Sequence, residues 1–183
     1  MHRRPLLDAL DHYEQSDRIT ADERQPLGRL RAFVEAHPTC FDRTLLEGHI
    51  TGSAWILNHD QSATLLTHHK KLNLWLQPGG HADGDPDVRQ VALREAIEES
   101  GIEDLRLLRD DIFDVDVHRI PARKDEPAHY HYDVRFVVQA PPNAQFVVSE
   151  ESHALAWVPR ADVANYQTDE SVLRMVRKWS FGS

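Results

Sequence analysis

Between Gly79-Gly80 and Gly101 the chain is punctuated so that one regular structure fits, a single helix with polar turns at either end. Asp85 can cap the free amides, Pro86 suits the first helical position, and Gly101 supplies the left-handed residue on which helices stop. The spacing predicts a helix from about Pro86 to Ser100, with Val88, Ala92, Leu93, Ala96 and Ile97 as its apolar stripe. Glu95, Glu98 and Glu99 stand three and four residues apart and therefore share one face. Neighbouring carboxylates repel, and at the C-terminal end of a helix the macrodipole disfavours negative charge as well. A bound cation is the simplest compensation, and oxygen donors suit hard ions such as magnesium or manganese. The competing reading is a solvated acidic face, with Arg94 in a surface ion pair.

Strand patterns lie on both sides of this helix. Short apolar runs at 50–57, 63–67 and 72–76 precede it, and runs at 105–108, 112–120, 130–139 and 154–158 follow. Asn58-His59-Asp60-Gln61-Ser62 has turn composition and predicts a hairpin. Helical patterns open the chain from Pro5 to His37, with Leu6, Leu7 and Leu10 on one face and Leu27, Leu30, Phe33 and Val34 at spacings of three and four. Thr20 and Glu23 form a capping-box pair, whereas Pro26 and Gly28 weaken the second helix. A short helix near 160–165 and another over 171–179 close the chain. This order predicts an α+β fold, an α/β/α sandwich with a mixed sheet. The expected division is an N-terminal helical lead-in over 1–47, packed on a domain over 48–183.

Composition narrows the function. The formal net charge is −9, so a general nucleic-acid binder is not expected, whereas a phosphorylated small molecule held through metal ions is compatible. The apolar runs are too short to span a bilayer, and Asp8 and Asp11 interrupt the N-terminal segment before a signal sequence could form. The single cysteine, Cys40, excludes an internal disulfide framework, and a soluble cytoplasmic protein is expected. The N-terminal helices could cover the core or provide a homodimer contact.

The segment Arg94-Glu95-Ala96-Ile97-Glu98-Glu99-Ser100-Gly101-Ile102, with Gly80 ahead of it, resembles the signature of the Nudix hydrolases. Trp75-Leu76-Gln77-Pro78-Gly79-Gly80 is similar to the strand and glycine turn that enter that helix, and Trp157-Val158-Pro159 to a late returning strand. The likeness covers roughly 48 to 165. Two positions depart from it: Ala96 is small for a bulky aliphatic, and Pro86 stands where the family carries its first glutamate. The resemblance implies a metal-dependent hydrolase cutting a phosphoanhydride bond in a nucleoside or other organic diphosphate, with Mg2+ or Mn2+ as cofactor. It implies metal binding by Glu95, Glu98 and Glu99, with Glu95 shared between metal and water and Arg94 orienting the carboxylates. Gly80 would let backbone approach the substrate closely. Outside the signature, Glu151 in the Glu150-Glu151 pair is the candidate general base, against the reading of an ordinary acidic turn. Pro86 motivates a second function, a non-catalytic Nudix-like binding or regulatory module.

Twelve histidines are many for 183 residues. His81 directly follows the glycine pair and could donate to a phosphate or help to hold metal. His129, His131, Asp133 and Arg135 alternate along a predicted strand and share one face, while Tyr130, Tyr132, Val134 and Phe136 share the other, the expected core side. The polar face admits a solvated surface, substrate contact by residues such as His131, or a transition-metal site. His129 and His131 would lie about 6–7 Å apart at Cα and could share an ion, whereas Asp133 is about 13 Å from His129. A histidine metalloprotein unrelated to phosphate chemistry is therefore the third reading. His68-His69-Lys70-Lys71 reads as a basic turn, and Trp55, Trp75, Tyr130 and Tyr132 as core aromatics or stacking platforms for a base.

Overall fold

The computed structural model describes residues 2–122, 127–150 and 152–179. Its elements are α1 (Arg4–Glu14), α2 (Arg24–Ala36), β1 (Gly48–Leu57), β2 (Ala63–His69), β3 (Leu74–Leu76), β4 (Gly79–His81), α3 (Val88–Ser100), β5 (Arg106–Leu107), β6 (Asp114–Ile120), β7 (His129–Gln139), β8 (Ser152–Pro159) and α4 (Glu170–Lys178). Two 3-10 turns, Ala21–Glu23 and Arg160–Asn165, complete them. The strands form one sheet ordered β3-β2-β1-β7-β5, with β4 paired to β1, β6 to β7 and β8 to β2. The fold is α+β, as expected. Contacts divide the chain into two compact units, one of Met1–Gly52, Gly80–Ala92 and Asp110–Phe136, the other of Ser53–Gly79, Leu93–Arg109 and Val137–Ser183.

In the first unit α1 buries Leu6, Leu10 and Tyr13, and α2 buries Leu27, Leu30, Phe33 and Val34. Pro26 does not break α2, because it falls within the first turn, where backbone amides have no helical acceptor to lose. Gly28 points into open space, so its cost is one of propensity only, about 1 kcal/mol relative to alanine. The Thr20–Glu23 capping box is present, and Glu23 is also fully buried. Its carboxylate accepts from the Tyr13 hydroxyl, from the Thr20 amide and hydroxyl, and from the Val115 amide at 3.4 Å, which ties α1 to β6. Within the same unit β6 pairs antiparallel with β7, placing Asp114 opposite Arg135, Asp116 opposite Asp133 and His118 opposite His131.

In the second unit the expected hairpin turn is built by side chains: Asn58 Oδ1 accepts the Ala63 amide at 3.0 Å and Asp60 Oδ1 the Ser62 amide at 3.1 Å. β2 pairs antiparallel with β3 and β8, with an irregularity at His68/His69. Ala54, Ile56, Leu65, Ala96, Ile102, Leu105, Val138 and Leu155 form its core, against which Leu93, Ile97 and Trp157 pack. Each large aliphatic side chain buried there contributes about 1.5–3 kcal/mol. Asp169 caps α4 by accepting the Val172 amide at 2.9 Å, and Trp179 meets Trp55 edge-on at 5.7 Å. Trp55 is thus a core residue, while Tyr132 stacks on Phe33 at 3.9 Å in the first unit.

Candidate functional site

The acidic helix forms where the sequence places it, with a later start. Asp85 Oδ1 accepts the Asp87 amide at 2.9 Å, which builds the turn that enters the helix. The Asp87 carbonyl opens the ladder by accepting the Val91 amide at 3.0 Å, and regular helix begins at Val88. Pro86 therefore precedes the helix, and lines a pocket of about 380 Å3 together with Pro5, Leu6 and Ala9 of α1 and with Phe136. Arg89 grips the Asp87 carboxylate with Nε and Nη2, both at 3.1 Å, and this hydrogen bonding holds that carboxyl below its ordinary range.

At the far end Gly101 has φ +68, and its amide donates to Ile97 O at 2.8 Å. A Cβ at Gly101 would also lie 3.0 Å from the Val147 side chain. The left-handed stop is as the sequence predicts.

Of the three glutamates, Glu98 is exposed and Glu95 and Glu99 are partly buried. Glu95 Oε1 lies 3.4 Å from Arg94 Nη2. Glu99 Oε1 accepts the backbone N–H of Gly79 at 2.9 Å, which ties the helix to the glycine turn. Gly79 itself is packed so closely that a Cβ there would come within 2.7 Å of Ser53 Cα. Any larger residue would drive the turn away from β1. Oxygen donors on one face of a fixed helix match the donor set of magnesium or manganese.

A family model described as the NUDIX domain matches residues 49–179. The chain belongs to the Nudix family. As a Nudix hydrolase it acts on pyrophosphate bonds. Solved structures show the same fold. The chain is similar to an Ap4A hydrolase from C. elegans, with 20% identity over 72% of this chain and 94% of that one and a TM-score of 0.58. It is also similar to a NUDIX-family hydrolase from Clostridium perfringens (22%, 74% and 98%, TM-score 0.54). A third likeness is to the Nudix hydrolase RenU from M. smegmatis (20%, 72% and 83%, TM-score 0.53). No curated protein matches.

This Nudix chain carries a second constellation, in its first unit, that the signature does not account for. The polar face of β7 is buried, not solvated: Asp133 and Arg135 are each 2% exposed and His129 is 4%. Arg135 donates from Nε to Asp133 at 2.7 Å and from Nη1 to Asp114 at 3.2 Å, with Asp116 at 3.7 Å from Nη2. Thr51 donates to the other Asp133 oxygen at 2.9 Å. Burial disfavours the Arg135 cation, but the charges of Asp133, Asp114 and Asp116 outweigh it, and its pKa lies above the ordinary arginine value.

Beside this ion network lies a group of histidines. The His49 ring centroid is 4.8 Å from that of His81 and 4.9 Å from those of both His129 and His131, and His118 is 5.4 Å from His131. His131 is depressed to about 2 by burial and, secondarily, by its imidazole neighbours. The sequence reading singled out His81, His129 and His131 but missed His49 and His118. The period-two run Asp114-Val115-Asp116-Val117-His118 was the signal for His118, since it repeats the polar alternation of β7.

The remaining expected site residues are placed as follows. Gly80 and His81 end β4. Glu150 is exposed, and its carbonyl accepts from Lys70 Nζ at 2.6 Å, so the basic turn at 68–71 is tied to the acidic one. Glu151, the candidate base, lies outside the described residues. Trp75 stacks on His68 with centroids 5.0 Å apart, and Tyr130 lies beneath the Arg29 guanidinium at 4.8 Å.

Among the described residues, no helix is long and apolar enough to cross a membrane.

Proposed function

We propose that this Nudix hydrolase is a cytoplasmic, divalent-metal-dependent enzyme that cleaves a phosphoanhydride bond in a nucleoside or other organic diphosphate derivative. The carrying observation is the Glu99–Gly79 hydrogen bond, which makes an acidic helix face and a glycine turn into one rigid piece. Glu95, Glu98 and Glu99 are the residues that would hold the ion. Magnesium or manganese, when bound there, supplies the positive charge that a doubly anionic diphosphate needs as charge develops on the leaving oxygen.

The chain's own residues do the rest. Arg94 holds the Glu95 carboxylate in orientation, so that Glu95 can accept a proton from the attacking water. The amide of Gly80, with His81 next to it, offers donors to phosphate oxygens. Glu151 is the proposed further base. The net charge of −9 supports a small anionic substrate recruited through metal over a nucleic acid.

One observation favours a second reading, a non-catalytic binding module. Pro86 stands where the signature carries a glutamate and offers no carboxylate there, in a pocket it shares with Pro5, Leu6 and Ala9 of α1 and with the charged Asp87, Arg89 and Asp110. Incubation of the purified protein with a panel of nucleoside and sugar diphosphate derivatives, with Mg2+ or Mn2+ and a coupled phosphate readout, separates the two. Metal-dependent product that chelator abolishes supports the enzyme. Ligand binding by calorimetry without product supports the module.

A further inference from the structure

We propose that His49, His129 and His131, with His81 and His118 beside them, form a binding site for a zinc-class divalent cation, in a set that shares no residue with Glu95, Glu98 and Glu99. Among the described residues, His49, His129 and His131 each offer a ring nitrogen, and these three atoms lie within 4.8 Å of one another. Imidazole nitrogen suits zinc, iron, nickel or cobalt and suits magnesium poorly.

The hydrogen bonds fix which nitrogens are available. His129 Nδ1 is 2.9 Å from Pro127 O, an acceptor only, so Nδ1 carries the hydrogen and Nε2 carries the lone pair. His118 Nδ1 is 3.0 Å from Asp116 Oδ2, which sets the same tautomer there. A backbone carbonyl or a carboxylate behind the far nitrogen is the usual outer support of a metal-bound histidine. Two of the five rings therefore already have that support.

The separation agrees as well. His129 Nε2 and His131 Nε2 are 3.2 Å apart and share a hydrogen bond in which His131 donates, so an ion bound there takes the place of that proton. Two nitrogens on one tetrahedral zinc, each at 2.0–2.1 Å, are separated by about 3.3–3.4 Å. His49 must close in by a side-chain rotation, since the three donor atoms span up to 4.8 Å. The rings hang on rigid supports: His49 on β1, His81 on β4, His118 on β6, and His129 and His131 on β7. His49 is 2% exposed, so an ion held there would be largely shielded from water. The Asp133–Arg135–Asp114 ion pairs, next along β6 and β7, hold those strands in register.

The test uses the full chain without a histidine tag, stripped with chelator and titrated with Co2+. The proposal expects one equivalent of saturable binding with the intense visible bands of a nitrogen-rich, low-coordinate ion. These bands should persist in Glu98→Gln and be displaced by Zn2+. His131→Asn and His129→Asn should weaken binding at least tenfold. Thermal melts of the stripped variants check that they fold, and the half-buried His131→Gln, with the same expected loss, serves if the asparagine variants do not. Wild-type protein showing only the weak spectrum of hydrated cobalt overturns the proposal. So does a spectrum unchanged in folded His129→Asn or His131→Asn. Because the readout is optical, it is independent of whether diphosphate is hydrolysed.

Discussion

Glu99 Oε1 accepts a hydrogen bond from the Gly79 amide at 2.9 Å, so the acidic helix and the start of β4 are held by the same side chain that is proposed as a metal ligand. Two substitutions separate those roles. Glu99→Ala loses acceptor and charge, and a hydrogen bond to an ionised group is worth about 1.5–3 kcal/mol. Glu99→Gln keeps an acceptor for Gly79 and loses only the charge. Calorimetric melting should show Glu99→Ala clearly lowered and Glu99→Gln near wild type. Titration should show Mg2+ or Mn2+ affinity reduced about tenfold or more in both, a loss of roughly 1.4 kcal/mol.

Gly101 holds φ +68 against Val147, so a side chain there is strained twice. Gly101→Ala should cost about 1–2 kcal/mol from the left-handed backbone, and more from the Val147 contact. Gly101→Asn should cost less on the backbone count, since asparagine tolerates that region. Urea midpoints of the two variants, compared with wild type at equal m-value, give the order.

Arg135 is the counter-charge for buried Asp133 and Asp114. Arg135→Met leaves these carboxylates uncompensated and should destabilise the chain by about 3–5 kcal/mol. Replacing Asp114 and Asp133 by asparagine in the same chain should recover part of that loss. Denaturant unfolding of the single and triple variants checks it.

Cys40 is fully buried, and burial pushes its thiol up to about 11. The folded state therefore keeps a proton that the unfolded chain releases near pH 9.0, so this contribution is whole below pH 9 and is lost as pH rises toward 11. Between pH 7.5 and pH 10 the loss from this thiol should be about 1.3 kcal/mol. Urea unfolding of wild type and Cys40→Ala at both pH values isolates it, because only the difference between the two proteins carries the thiol.

What could be read in the residues alone was whatever is local. The helix, its glycine stop and the shared face of Glu95, Glu98 and Glu99 depend on spacings within one segment, and the hairpin at 58–62 depends on side chains two to five residues apart. Regular helix begins at Val88, two residues after the point the spacing suggests, because Pro86 lies in the turn that Asp85 closes on the Asp87 amide. The buried polar face of β7 was not legible, since burial of Arg135 requires Asp114 and Asp116 to arrive opposite it through the β6–β7 register. The histidine group was hidden for the same reason. Alternation along β7 brings His129 and His131 to one face, but His49, His81 and His118 arrive from three other strands.

The Glu95–Glu98–Glu99 face is proposed to support metal-dependent cleavage of a diphosphate. Turnover of the best substrate from the diphosphate panel should be measured for wild type and Glu98→Gln across a Mg2+ or Mn2+ titration. Glu98 is exposed, so its replacement by the isosteric amide should leave the fold intact. A fall in kcat/KM of about a hundredfold or more, equivalent to roughly 2.7 kcal/mol of lost transition-state stabilisation, is the predicted result. Turnover undiminished in Glu98→Gln, with the same metal dependence as wild type, would contradict it.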